Sequence, residues 1–189
     1  MDINLIALQQ EIINPVSEAL APFFEVTETA KQQLLLIATI GLKRNNSFFQ
    51  HNNQSYGLFH ITAEQHTRLW DTVLVKTPDL ASTVRGLASQ RQFLKSPHLE
   101  LCTNLIYATA IALTVLCHCN HYNIESNRGM EQINAIDNQG ITRLFPGFHL
   151  ITQKELAVAS RLAERVHKAK KAQQQPGLLN PNYLSTVCA

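Results

Sequence analysis

The sequence predicts an all-α fold, and three observations carry that prediction. Glycine is scarce, with 7 in 189 residues, and the dipeptides that make tight β-turns are few. Hydrophobic residues make up 45 % of the chain, enough to bury a sizeable core in one domain. Leu34 to Leu42 is apolar almost all round, and Leu101 to Leu116 is the most apolar run in the chain, as expected of helices buried inside a domain.

The elements follow in order. Ile3 to Ile13 has the spacing of an amphipathic helix ending near Asn14-Pro15. Pro15 to Phe24 suits a second short helix opened by proline. Thr27 or Thr29 can cap the buried helix, with Lys31, Gln32 and Gln33 on its polar face. Gly41 weakens its end. Asn45 to Tyr56 is polar, rich in asparagine and non-periodic, and reads as a functional loop. A short apolar run follows, Gly57 to Ile61. Thr62 then caps a helix with Glu64 in its first turn, and that helix buries Leu69, Trp70, Val73 and Leu74. Pro78 opens another helix, carrying Leu80, Val84 and Leu87. Ser96-Pro97 starts a long core helix running through Cys119.

Gly129 to Gly140 is irregular, and "LFPGFHLIT" reads as a turn with exposed aromatics. Thr152 to Gln175 is a long helix with Leu156, Val158, Leu162 and Val166 along it. Past Pro176-Gly177 comes an apolar tail interrupted by Pro181. Its Leu178, Leu179, Tyr183 and Leu184 suit a docking arm. The organisation expected is thus a helical domain over 1–150, a C-terminal helix over 151–175 and an extended docking tail over 176–189.

Charge and composition narrow the function. The formal net charge is +2, too small for a nucleic-acid partner, which needs a concentrated basic face. The densest basic run, Arg161 to Lys171, reads as a solvated helix face. The N-terminus lacks a basic region followed by an apolar run, so no signal peptide is expected. Leu101 to Leu116 carries Thr103, Asn104, Tyr107, Thr109 and Thr114 and falls short of the roughly 20 apolar residues a bilayer span needs, so no membrane partner is expected. The four cysteines suggest no disulfide framework. In "CHCNHYN", Cys117, Cys119 and His121 are residue types zinc accepts, with His98 or Cys102 to complete a set. Cysteines ending a core helix are equally small buried hydrophobes. No metal or other cofactor is expected.

A resemblance emerges from longer stretches. "AEQHTRLWDTVLVKTPDLASTVRGLASQRQFL", from Ala63, and "ELCTNLIYATAIAL", from Glu100, are similar to helical stretches of lytic-transglycosylase-like proteins of tailed bacteriophages of Gram-negative hosts. "INPVSEALAPF" resembles the family's opening helix, and the likeness covers roughly Asn14 to Leu116. It implies a lysozyme-superfamily, transglycosylase-like helical domain, to which the C-terminal helix and apolar tail are additions. In that family an apolar helix ends in Glu-Ser, a loop with a Gln follows, and then Gly-Leu-[Phe/Trp]-Gln-[Ile/Phe] lines the sugar groove. Here "GLFHI" occupies the last place, and Gln50 the loop.

The departure falls on the chemistry. Eight positions before Gln50, the family's Glu-Ser becomes Leu42 and Lys43, and the groove Gln becomes His60. No Asp or Glu occurs between Glu28 and Glu64. Glycoside cleavage needs a carboxylic acid in a dry pocket, and leucine has no proton to donate. Glu64 is the candidate substitute. Gln50, Gly57, Phe59, His60, Asn104 and Tyr107 are the residues of the former groove. The resemblance therefore implies a virion protein, made in the bacterial host cytoplasm, that keeps the scaffold and contacts other virion proteins or copies of itself. The alternatives are an active peptidoglycan-degrading enzyme with an unexpected acid, and a non-catalytic peptidoglycan-binding module.

Overall fold

The computed structural model describes residues 4–45, 51–52, 55–125, 138–148 and 151–173. It is mostly helical, with a single two-stranded pairing among the described residues. The tail residues Leu178, Leu179, Tyr183 and Leu184, and Gln50, lie outside them.

The chain opens with α1 (Leu5–Ala7), whose cap is Asn4: its side chain accepts from the Ile6 and Ala7 amides. The break expected at Asn14-Pro15 does not occur. A π-helical segment, Leu8–Ile13, leads directly into α2 (Asn14–Leu20), and the Asn14 amide bonds the Gln9 carbonyl. Proline has no amide hydrogen and its ring collides with the carbonyl four residues back in a regular α-helix. The wider π turn just before Pro15 moves that carbonyl aside, so the helix continues.

Thr27 caps α3 (Glu28–Asn45), accepting from the Ala30 amide at 3.1 Å. Leu34, Leu35, Ile37, Ala38 and Ile40 of α3 are buried. The stretch expected to be all loop holds a small hairpin: β1 (His51–Asn52) pairs antiparallel with β2 (Ser55–Tyr56), His51 opposite Tyr56. A turn over 57–60 then brings Ile61 back onto Tyr56 through two backbone hydrogen bonds. Thr62 caps α4 (Ala63–Thr72), accepting from the Gln65 amide at 3.1 Å. A 3-10 turn, Leu74–Lys76, leads to α5 (Pro78–Gly86) and α6 (Gln90–Lys95).

The long helix expected from Ser96 is two helices. α7 (Pro97–Thr103) and α8 (Leu105–Glu125) meet at Asn104, and the chain bends by 108° there. Asn104 adopts an extended conformation and makes the corner with its own side chain. Oδ1 accepts from the Tyr107 amide at 3.1 Å, capping α8. Nδ2 donates to the Leu87 carbonyl at 2.9 Å and to Glu100 Oε1 at 2.8 Å. Beyond it α8 is the central core helix, burying Tyr107, Ala108, Ala110 to Leu113, Val115 and Leu116 against α2, α3 and α5.

The C-terminal part comprises α9 (Asn138–Leu144), a 3-10 turn, Pro146–Phe148, and α10 (Gln153–Gln173). Phe145 and Phe148, read from the sequence as exposed, are both fully buried. α10 packs along α3 and contributes Ala159, Ala163 and Val166 to the same core. Arg44 near the end of α3 donates to both carboxylate oxygens of Glu155, at 2.8 and 3.1 Å. Gln32 meets His167 at 3.0 Å towards the other end, so the two helices run antiparallel. Among the described residues no single helix is long and apolar enough to cross a membrane; α7 and α8 together pass on length and composition but are bent.

Candidate functional site

The end of α3, the turn over 57–60 and the Pro146–Phe148 turn pack directly on one another. A Cβ at Gly41 would run into the Leu58 carbonyl, so the end of α3 lies directly on the "GLFHI" turn. Gly57 has φ +65° and rests on the Leu101 carbonyl, a placement a larger residue would resist twice over. On the far side, a Cβ at Gly147 would strike the His60 carbonyl and the Ser55 side chain. The Pro146–Phe148 turn thus sits down on the segment that would line a sugar groove.

The predicted site residues are accordingly not gathered on an open face. Phe59 is fully buried. His60 is buried, has the positive φ of 49°, stacks on Phe148 with centroids 4.4 Å apart, and meets Ser55 Oγ at 3.3 Å. The Phe148 carbonyl accepts from Arg44 Nη1, which ties the cover to α3. Leu42 is half-buried against the core and Lys43 is exposed. Glu64 is exposed in the first turn of α4. Tyr107 is buried and Asn104 is the corner residue described above.

Cys117 is buried, and burial pushes its thiol up to about 11; the side chains of Cys119 and His121 lie outside the described residues. Among the described residues no group of three or more His, Cys, Asp or Glu side chains is placed to hold a metal ion.

A different polar cluster joins α4, α7 and α8. His66 Nε2 lies 2.6 Å from the Tyr107 hydroxyl, and His66 Nδ1 lies 2.9 Å from His98 Nδ1. Trp70 Nε1 lies 3.0 Å from the Tyr107 oxygen and 3.3 Å from His66 Nε2. An indole nitrogen can only donate, and this sets the direction of the whole chain. Trp70 donates to Tyr107, whose hydroxyl proton goes to His66 Nε2. His66 Nδ1 therefore carries the hydrogen and donates to His98 Nδ1. Burial and then the neighbouring His98 push His66 down to about 4. Burial also raises Tyr107 above the ordinary phenol range and lowers His98. The four side chains join α4, α7 and α8 through hydrogen bonds between neutral groups.

One turn from the corner lies Glu100, which has no exposed surface. Its Oε1 accepts from the Ser89 amide and from Asn104 Nδ2. Its Oε2 is buried and has no partner among the described residues. Glu100 borders an open groove of about 630 Å³, lined also by Ile12, Ser89, Gln92, Thr103, Asn104 and Ile106. Sequence reasoning missed Glu100, although its spacing of four from Asn104 on a helix was a signal that the two would meet. His66 and Trp70 have the same spacing.

No protein-family model, no curated protein and no solved structure matches this chain.

Proposed function

We propose that the chain is a virion component of a tailed bacteriophage, built on a lysozyme/transglycosylase-like helical body, that works through protein–protein contacts rather than by cleaving glycan. The observation that carries this reading is the covered floor. Where the family resemblance puts a sugar groove, Phe59 and His60 lie under the chain's own Phe148 and Gly147. Where it puts the proton donor stands Leu42, packed on the core. Glu64 is exposed and so lacks the dry surroundings such a donor needs. A body relieved of substrate access can use its surface for contacts with other virion proteins or further copies of itself.

A second reading, a peptidoglycan-directed protein, is favoured by Glu100: a fully buried carboxylate beside an open groove is the environment of a general acid. Among the described residues the groove lining holds no second carboxylate to share the work. Two assays separate the readings. Full-length protein incubated with Gram-negative peptidoglycan between pH 4 and 7.5 is expected neither to release soluble fragments nor to sediment with it. Density-gradient-purified particles from infected or induced cells are expected to contain the protein. Fragment release that is lost in Glu100→Gln would establish the second reading, and absence from particles would end the first.

A further inference from the structure

We propose that the groove between the π-helical segment and the start of α8 is the seat of this chain's own C-terminal tail, residues 176–189, docked within the same molecule. The inference takes up the docking arm expected from the sequence, names the surface it covers, and does not depend on the virion reading. It starts from apolar surface left over. Among the described residues four large hydrophobic side chains are exposed, and two of them, Leu99 at 37 % and Ile106 at 41 %, belong to this region. Ile106 lines the groove with Ile12 and Leu105. Leu99 stands one helical turn before the lining residue Thr103, whose hydroxyl donates to the Leu99 carbonyl at 3.1 Å, so it extends the same face. The groove holds about 630 Å³, within the range of natural binding pockets.

The topology brings the tail to this place. α10 packs on α1 as well as on α3. α1 runs straight on into the π-helical segment that carries Ile12, about 8 Å further at about 1.5 Å per residue. α10 ends at Gln173, and the residues after it lie outside the described ones. Residues 174–189 can span about 50 Å when extended, against about 32 Å for the whole of α10. The tether is therefore long enough to lay the tail across the π-helical segment and into the groove.

The chemistry of the tail matches the lining. Leu178, Leu179, Tyr183 and Leu184 supply apolar side chains, and Pro176 and Pro181 oppose a regular helix. An extended segment keeps its peptide groups free to bond outward. Gln92 lines the groove to meet them, as does the Thr103 hydroxyl oxygen, which keeps a lone pair. No Asp, Glu, Lys or Arg follows Lys171, so the tail asks for no counter-charge. The groove offers none: Glu100, the charged residue of its described lining, has no exposed surface. The tail of a second copy has the same chemistry, but a tethered segment meets its own groove at an effective concentration of the order of millimolar.

The test compares ¹⁵N amide spectra of the full chain with those of a full-length variant carrying Leu178→Ser, Leu179→Ser, Tyr183→Ser and Leu184→Ser together. Shifts at the Gln92, Thr103 and Ile106 amides are expected, with the core amides of α3 and α8 unmoved. A synthetic peptide of residues 176–189 is then expected to bind the variant's emptied groove, and to bind the parent chain at least about tenfold more weakly because its groove is filled. Groove amides unmoved by the four substitutions, or a peptide that binds both chains equally, would each overturn the proposal. So would groove shifts that depend on protein concentration, which would put the tail in a second copy. The substitutions lie outside the core, so the body folds in both chains, and presence in particles is read separately, so this proposal and the virion reading can fail independently.

Discussion

At His66, burial and the neighbouring His98 act in the same direction, both disfavouring the charged imidazole. The neutral imidazole accepts from Tyr107 and donates to His98. Adding a proton at Nε2 would set an N–H against the Tyr107 hydroxyl, already approached by the Trp70 donor. The unfolded chain takes up that proton near the ordinary value of 6.5, the folded chain only near 4. Stability is therefore fully present above pH 6.5 and falls as pH drops towards 4, because the unfolded state binds more protons in that window. Two and a half pH units correspond to about 3 kcal/mol. Urea unfolding at intervals from pH 7.5 to 4.5 is expected to show most of this loss. In His66→Gln the curve should be flatter over the same window, with a cost of about 1 kcal/mol at pH 7.5 from the weakened network. An unchanged pH profile in the variant would assign the acid sensitivity elsewhere. Glu155, which its hydrogen bonds from Arg44 hold down to about 2, loses its contribution only below pH 4.5 and so does not confuse the upper window.

Among the elements, the corner at Asn104 carries the most from one side chain. It caps α8, holds the Leu87 carbonyl and supplies one of the two donors to Glu100 Oε1. Asn104→Ala removes all three and is expected to cost roughly 3 kcal/mol, a lost cap of about 1 kcal/mol plus a buried carboxylate left with fewer donors. The measurement is a denaturant midpoint, and Asn104→Asp, which can still cap but sets a second carboxylate against Glu100 and the Leu87 carbonyl, should cost at least as much. This corner was hidden in the sequence because neither glycine nor proline marks it; "CTNLIY" is apolar enough to pass as continuous helix. Thr27 and Thr62, by contrast, announced their helices because capping is local chemistry. Pro15 misled for the opposite reason: its local rule was overridden by a π turn. Phe145 and Phe148 looked exposed because what buries them, the His60 turn and its neighbours, lies far off in sequence. The site was no easier to read. His66 and His98 are 32 positions apart, and no spacing rule connects them.

The packing of the Pro146–Phe148 turn on the His60 turn is also an element-scale device, and glycine makes it possible. Gly147→Val would press a branched side chain into the His60 carbonyl, which is backbone and cannot turn away. The Pro146–Phe148 turn is expected to lift. Amide exchange should rise across residues 55–61, and stability should drop by about 3 kcal/mol. Protection unchanged at 55–61 would show that the turn is not what shields it.

At the scale of the whole molecule the question is whether α10 is an attachment or part of the core. The sequence reading sets residues 151–175 apart from the helical domain, which would make α10 an addition. Packing argues for integration: Ala159 is fully buried, and Ala163 and Val166 extend its stripe into the cluster that holds α3 and α8. Small residues four apart let the α10 and α3 backbones come close, and Arg44 links the pair to the Phe148 cover as well. A charge placed in that seam separates the alternatives. Ala159→Glu buries an unpaired carboxylate and is expected to cost about 4 kcal/mol or more. If α10 is integral, the denaturant transition shifts to a lower midpoint as a single step with its slope kept. Near-UV signals from Trp70, which lies on α4, should then be lost in the same transition. If α10 is an attachment, only its own amides lose protection, and the Trp70 signal keeps its original midpoint. The first outcome is expected, because the helix that α10 covers is the one whose end supports the "GLFHI" turn, so undocking it would loosen that turn and the Phe148 contact on it.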